Sequence, residues 1–510
     1  MDARSISDFV VDVEQRFPVD HWQAQGIAIW PLLRIQLYFK LFNRALLRPG
    51  DHTPMLMERL KRRSVRQMDI RLRGARAART DAARTPSKNS PAEVVFVSDG
   101  VSQLRVEQGW FDRFCDPIAV MARKRGLRTF TITLGDAFNI PRVGPGVFLQ
   151  PHMERLKIEA LFRSLLPGKG LTTLQPEINA LNKWLGGIDP SLKFSPRKLG
   201  AQVTALRLIA ESFEQMLAMR GARVAFVVSY YNMEGMAFCH AARTLGIRTF
   251  ELQHGVAGEF HAAYGRWTRL PPNGYSLLPE IFWAWSPEDA DFINSWAMRT
   301  SGAHRAEPTG NVFVTGWRGG LVPKSPDLEE RVRKLVDLEF SASHYLVALQ
   351  PGLMDENTLK PLLQAAARIG KQACWWFRLH PMNRDQGEPL RHMLQKEGLT
   401  NVEIEEASEL PLLALLPEAD VVLTHSSSTV LEAEAFGVPS VIMSQYGADL
   451  FPLSLSKGTA RAAFSPDAIV DALQGFRDFK RGRQAAIADG LSMIESALDT
   501  IPPHQAGVPH

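Results

Sequence analysis

The chain has 510 residues, 45% apolar and 22% charged, with a formal net charge of +5. That balance is a folded protein's and excludes intrinsic disorder, while the length calls for more than one core. Its three cysteines, Cys115, Cys239 and Cys374, are odd in number and far apart, which argues against a disulfide framework or a cysteine-rich zinc site and fits a reducing compartment.

Residues 1 to about 75 read as helical, with His21, Trp22, Trp30, Tyr38 and Phe39 supplying the apolar content of a packed extension. The N-terminus carries Asp2 and Asp8 where a secretory leader has a basic start and an apolar core, so the expected location is cytoplasmic. The most apolar segment, Gly26 to Phe42, is interrupted by Pro31, Arg34 and Lys40. A spanning helix needs ~20 predominantly apolar residues, and this is not one. From Arg59 to Arg84, ten Lys and Arg stand against two Asp. Such a run suits an anionic membrane surface, which would make the protein peripheral at the inner face of the cytoplasmic membrane, or equally a solvated helix and linker. No nucleic-acid partner is expected.

A breaker cluster, Thr85 to Pro91, ends the extension. Strand-like runs follow at Ala92–Ser98, Arg128–Leu134, Ala222–Ser229, Arg248–Gln253, Ile281–Trp285 and Asn311–Thr315, separated by helical stretches. After Trp317 to Pro326, a plausible hinge, the alternation resumes with His344–Leu349, Ala373–Leu379, Val421–Thr424 and Ser440–Met443. Alternating strands and helices in both halves predict two doubly wound, Rossmann-like α/β domains facing across a cleft, behind an N-terminal helical extension. The expected boundaries are 1–90 for the basic extension and linker, 91–316 and 317–475 for the two α/β domains, and 476–510 for a C-terminal helix and tail.

In such domains ligands bind at the carboxyl ends of strands. Three polar turns fall there in the second half. Gln350-Pro351-Gly352 brings a flexible backbone, Arg378-Leu379-His380-Pro381 brings cationic and hydrogen-bonding groups, and Ser426-Ser427-Ser428 brings hydroxyls to the start of a helix. Together they are devices for holding a phosphate without a metal. Glu432, about one helical turn further on, is placed to meet a ribose. In the first half, Asp99 follows one strand and His254 another, and either could take a proton from an acceptor hydroxyl. The bland alternatives are a turn-forming aspartate and a buried, hydrogen-bonded histidine. Asp289 and Asp291 have Asp-x-Asp spacing but sit in a helical pattern after Pro287, and no metal site is expected.

The His380-Pro381 pair, followed about 46 residues later by the Ser426–Ser428 cluster, resembles the motifs of bacterial GT-B glycosyltransferases of surface polysaccharides, particularly the sialyltransferase and Kdo-transferase groups that use CMP-activated sugars. The stretch from Thr429 through Glu432 and Gly437 to Pro439 resembles a form shared widely among GT-B enzymes, in which the glutamate takes the ribose. Ser98-Asp99-Gly100 matches only in part the acidic pair of those sialyltransferases. Glu251-Leu252-Gln253-His254-Gly255 is similar to the His-Gly turn of CDP-glycerol transferases.

The resemblance implies a GT-B fold and a metal-independent glycosyltransferase without cofactors, with an acceptor-binding first domain and a nucleotide-sugar-binding second domain. Nucleotide contacts would come from Gly352, Arg378, His380, Pro381, Ser426, Ser427, Ser428 and Glu432, and the base from Asp99 or His254. The implied partners are a nucleotide-sugar donor, of CMP-Kdo or CMP-sialic acid type, and a glycan or lipid-linked acceptor. Another nucleotide-activated donor such as CDP-glycerol, an epimerase of the same fold and a non-catalytic nucleotide-binding protein are the alternatives.

Overall fold

The computed structural model describes residues 3–46, 90–135, 139, 142–164, 174–337, 343–476 and 490–499. The basic run at 59–84 lies outside the described residues. The chain divides into one unit comprising Ala3–Val322 with Gly490–His510, and a second comprising Pro323–Asp489.

The first unit is built on seven parallel strands: β1 (Val94–Ser98), β2 (Thr129–Thr133), β3 (Gly146–Phe148), β4 (Val224–Val228), β5 (Arg248–Leu252), β6 (Ile281–Ala284) and β7 (Arg305–Pro308). Every residue of β1, β2 and β4 is buried, as expected of parallel strands covered on both faces. The spatial order is β3-β2-β1-β4-β5-β6-β7. The chain winds outward one way from β1 and then returns to wind the other way from β4, so the β1/β4 boundary is a topological switch point, where such sheets bind ligands.

The second unit repeats the plan with six parallel strands: β8 (Ser343–Ala348), β9 (Ala373–Arg378), β10 (Val402–Glu403), β11 (Val421–Thr424), β12 (Ser440–Ile442) and β13 (Ala460–Ala462). Their order, β10-β9-β8-β11-β12-β13, puts the switch point between β8 and β11. Leu359, Leu362 and Leu363 of the helix Glu356–Ile369 share a core with Val347, Trp375 and Phe377 of the sheet. Burying each such side chain contributes roughly 1.5–3 kcal/mol. Trp375 and Trp376 are fully buried, so they serve the core rather than stacking on a sugar. Two successive Rossmann-like units are the domain make-up of a GT-B protein.

The N-terminal helices Ala3–Arg16 and Trp30–Leu46 belong to the first unit's own core. Val10, Val13, Trp30, Leu33 and Leu37 cluster with Val95, Ile132 and Val227 of the sheet. The helix Gly490–Asp499 also belongs to this unit, with Ile494 and Leu498 in a core shared with Ile118 and Phe250.

One predicted strand is wrong. Residues Val312–Arg318 are a helix, begun by Asn311, whose Oδ1 accepts from the amides of Phe313 and Val314 at 3.0 and 3.3 Å. The β-branched run there suggested a strand, but an N-cap asparagine starts a helix. The last strand is instead β7, whose charged Arg305 and Glu307 hid it. Among the described residues no helix is long and apolar enough to cross a membrane.

Candidate active site

Strand register decides which loops meet. In the second unit Ala348 of β8 pairs with Arg378 of β9 and with Thr424 of β11. The three predicted turns therefore emerge side by side from one sheet edge. Gln350 Oε1 accepts from the Ser426 amide at 2.8 Å and from Ser426 Oγ at 3.2 Å, closing the switch point. Thr424 Oγ1 donates to the Ala348 carbonyl at 2.9 Å and accepts from the Ser427 amide at 3.3 Å. Gly352 has φ +79°, a left-handed conformation that favours glycine.

The expected helix after the serines is short, Thr429–Ala435, and Ser428 makes no side-chain cap. Ser427 takes that part, its Oγ accepting from the Thr429 amide at 3.3 Å and sharing a hydrogen bond with Thr429 Oγ1 at 2.9 Å. The turn is buttressed from behind. Ser444 Oγ donates to the His425 carbonyl at 2.7 Å, and a Cβ on Gly447 would lie 1.9 Å from that oxygen, so only glycine permits this approach.

The predicted residues of this edge differ in burial and in what holds them. Arg378 Nη1 donates to the carbonyls of Ala407 and Leu410, both at 2.6 Å, so its guanidinium braces a neighbouring loop. Glu432 is buried at 6% exposure. His380 is half-buried, and its carbonyl accepts from the Asn383 amide at 2.8 Å as the chain turns into Pro381–Gln386. His425 is buried, and burial lowers its pKa.

In the first unit, Val97 pairs with Val227 and Val228 with Leu252, so the loops after β1, β4 and β5 leave the same edge. His254 is the hub there. Its Nε2 lies 2.8 Å from Ser229 Oγ and 3.1 Å from the Tyr231 hydroxyl, both from the turn after β4. On the other side Glu251 Oε1 is 3.7 Å from Nδ1, too far for a good hydrogen bond but close enough for its charge to act. Tyr264 donates its hydroxyl to the same Glu251 oxygen at 2.7 Å. Glu251 Oε2 and His254 Nδ1 have no hydrogen-bond partner among the described residues, though both are buried.

The electrostatics of this cluster are legible. Burial alone would push the His254 imidazole down, but the carboxylate of Glu251, with the charge of Asp99 nearby, more than offsets it, so the pKa stands above the ordinary value. Burial, with the Glu251 charge, holds the Tyr231 and Tyr264 phenols protonated. They are therefore donors. A proton on Nδ1, facing Glu251, leaves Nε2 as the acceptor for the Ser229 and Tyr231 hydroxyls. His261, in ring contact with Tyr231 at 5.3 Å, is pushed down to about 3 by burial and by the charges of His254 and Arg34, so it stays neutral.

Ser229 has φ +58°, a conformation non-glycine residues adopt at a cost of about 1–3 kcal/mol. It is held where it meets the imidazole. Asp99 is half-buried, and its Oδ1 accepts from the Val101 amide at 3.0 Å, the bond of a turn-forming aspartate.

The sequence reading named His254 and gave no role to Glu251, Ser229, Tyr231 or Tyr264. The one available signal was the polar Ser229–Asn232 turn directly after a wholly apolar strand. Asp289, in the helix that begins at Pro287, accepts from Gln253 Nε2 at 3.0 Å and so helps to set the His254 turn. Among the described residues no group of His, Cys, Asp and Glu could hold a metal ion.

No family model and no curated protein matches the chain. Among solved structures, similar chains include the UDP-GlcNAc 2-epimerase of Methanocaldococcus jannaschii in complex with UDP-GlcNAc and UDP, at 12% identity over 79% of this chain and 98% of that one, with a TM-score of 0.48. The Neisseria meningitidis UDP-GlcNAc 2-epimerase bound to UDP-GlcNAc is 14% identical over 80% and 99%, with a TM-score of 0.47. A UDP-glucosyltransferase of Polygonum tinctorium is 14% identical over 82% and 100%, with a TM-score of 0.44.

Proposed function

We propose that this chain is a metal-independent glycosyltransferase of bacterial surface-polysaccharide synthesis, moving a sugar from a CMP-activated donor to a glycan or lipid-linked acceptor. The observation that carries the reading is the His254 cluster, an imidazole with a carboxylate behind one nitrogen and hydroxyls at the other. An acceptor hydroxyl taking the place of Ser229 or Tyr231 at Nε2 would give up its proton there as its oxygen attacks the donor carbon. Asp99, whose carboxylate already closes a turn, is the weaker base.

In the second unit the Gly352 backbone, His380 and the Ser426–Ser428 turn would receive the leaving phosphate, with hydrogen bonds that strengthen as its charge develops. Arg378 is left to position the neighbouring loop. A second reading, a CDP-activated donor such as CDP-glycerol, is supported by the similarity of the Glu251–Gly255 stretch to those transferases, because that stretch carries the hub of the cluster.

Thermal protection by CMP-, CDP-, UDP-, GDP- and dTDP-activated compounds tests both. A ligand at one hundred times its Kd stabilises by about 2.7 kcal/mol. Protection by cytidine compounds is expected, lost or sharply reduced in His380→Ala, and no protection by any nucleotide would end the glycosyltransferase reading.

The basic run at 59–84 would attach the enzyme to anionic lipid. Removing residues 59–84 alone, which spares the core helices before Leu46, should weaken binding to phosphatidylserine vesicles. Undiminished binding would reduce the run to a solvated linker.

A further inference from the structure

A cavity of about 640 Å³ opens within the first unit at the carboxyl ends of β1, β2 and β4, against the helices Gln150–Arg163 and Pro196–Arg220. That is within the roughly 300–1,000 Å³ of small-molecule sites and is ample for a sugar residue. His254 does not line it. The Ser229–Asn232 turn runs between the two, with Val228 and Asn232 lining the cavity and Ser229 and Tyr231 touching His254.

The polar wall is organised. Lys157 is clamped between Glu154 at 2.8 Å and Glu234 at 2.6 Å, and Gln150 donates to the same Glu154 oxygen at 2.8 Å. Burial would lower the Lys157 pKa, but the two carboxylates more than offset this and keep the ammonium charged. Asp99, Lys198 and Gln202 add to the polar lining, with Ser98 and Asn232. Three carboxylates thus face two ammonium groups, which leaves one negative charge in excess. Leu134, Ile158, Ala201 and Met233 add apolar lining. Acceptor-rich polar groups interspersed with apolar ones suit a sugar ring, which donates hydroxyl protons to the first and rests C–H groups on the second. An acidic sugar would meet carboxylates with only Lys198 not already clamped between acids, and like charges at close range are disfavoured.

We propose that this cavity binds a non-acidic, hydroxyl-rich sugar residue of the acceptor, next to the His254 base. The inference rests on the glycosyltransferase reading and narrows its acceptor. Asp99 then recognises the acceptor instead of removing its proton.

The test uses the full chain and calorimetric titration with neutral oligosaccharides of glucose, galactose, mannose and N-acetylglucosamine, each beside its uronate counterpart. At least one neutral sugar should bind, its uronate at least tenfold more weakly. Ala201→Phe, which fills the cavity, should weaken that binding at least tenfold, and Gln202→Ala, a smaller change on the same wall, severalfold. Should Ala201→Phe fail to fold, Gln202→Ala and Lys198→Met give the same readout. Equal binding of uronates, no binding of any sugar, or cavity variants that bind like the wild type would overturn the proposal. Nucleotide-induced thermal protection, measured on the same samples, separates the two failures. Nucleotide binding without sugar binding removes only the cavity assignment, whereas loss of both removes the glycosyltransferase reading.

Discussion

Replacing His254 by alanine should lower kcat by about 10²- to 10⁴-fold while leaving donor affinity within a fewfold of the wild type, because a general base acts only in the transition state. The pH profile supplies the sharper test. A base must be neutral to act, so kcat should fall as pH drops through the pKa of His254, which Glu251 holds above its ordinary value. Glu251→Gln removes that negative charge and leaves burial to dominate. The acidic limb should therefore move to lower pH, even as kcat falls because the imidazole is less well oriented. Stability runs the other way, since a raised pKa means that charged His254 favours the fold at low pH and that this contribution is lost as pH rises through the folded value. Identical acidic limbs in wild type and Glu251→Gln would remove Glu251 as the partner of the base. A fully active His254→Ala would remove the base itself.

How much of this could be read beforehand follows from the range of each interaction. Strands such as Val94–Ser98 and Val421–Thr424 announce themselves because parallel strands buried on both faces are continuous apolar runs. The two sheets and the polar turns at their edges were legible for that reason. Short edge strands were not: Gly146–Phe148 and Ala460–Ala462 have three residues each, too few for a period. The His254 cluster was half legible. The histidine stands beside a glycine after an apolar strand, but Ser229 and Tyr231 come from the turn after the preceding strand, and only the β4–β5 register brings them to the ring. The contacts of Arg378 were hidden for the same reason, since the carbonyls that its Nη1 meets lie 29 and 32 residues away.

The largest stability effect is expected at Glu14 and Arg34, a pair the sequence hides in what reads as a basic extension. Both are almost wholly buried and form an ion pair. Glu14 also accepts from Trp30 Nε1 at 2.8 Å and from the Thr268 amide and hydroxyl, both at 2.6 Å. Arg34 donates to the carbonyls of Ala262 and Gly265, both at 2.8 Å, and lies over the Trp267 ring at 4.2 Å. The pair thus fastens the two N-terminal helices to the loop that carries His261 and Tyr264, and Tyr264 in turn holds Glu251. Removing one partner strands the other charge away from water, which costs about 3–5 kcal/mol. Arg34→Met and Glu14→Leu should each lower the urea midpoint of the first unit by that equivalent, whereas breaking the exposed Arg16–Asp12 pair should change stability by less than about 1 kcal/mol. The double variant decides the cause. With both charges gone no ion is left unpaired, so Glu14→Leu/Arg34→Met should be less destabilised than the sum of the single changes. Strict additivity would mean that the two residues act through separate packing contacts, and that the loop beside His254 is held by something other than their charge.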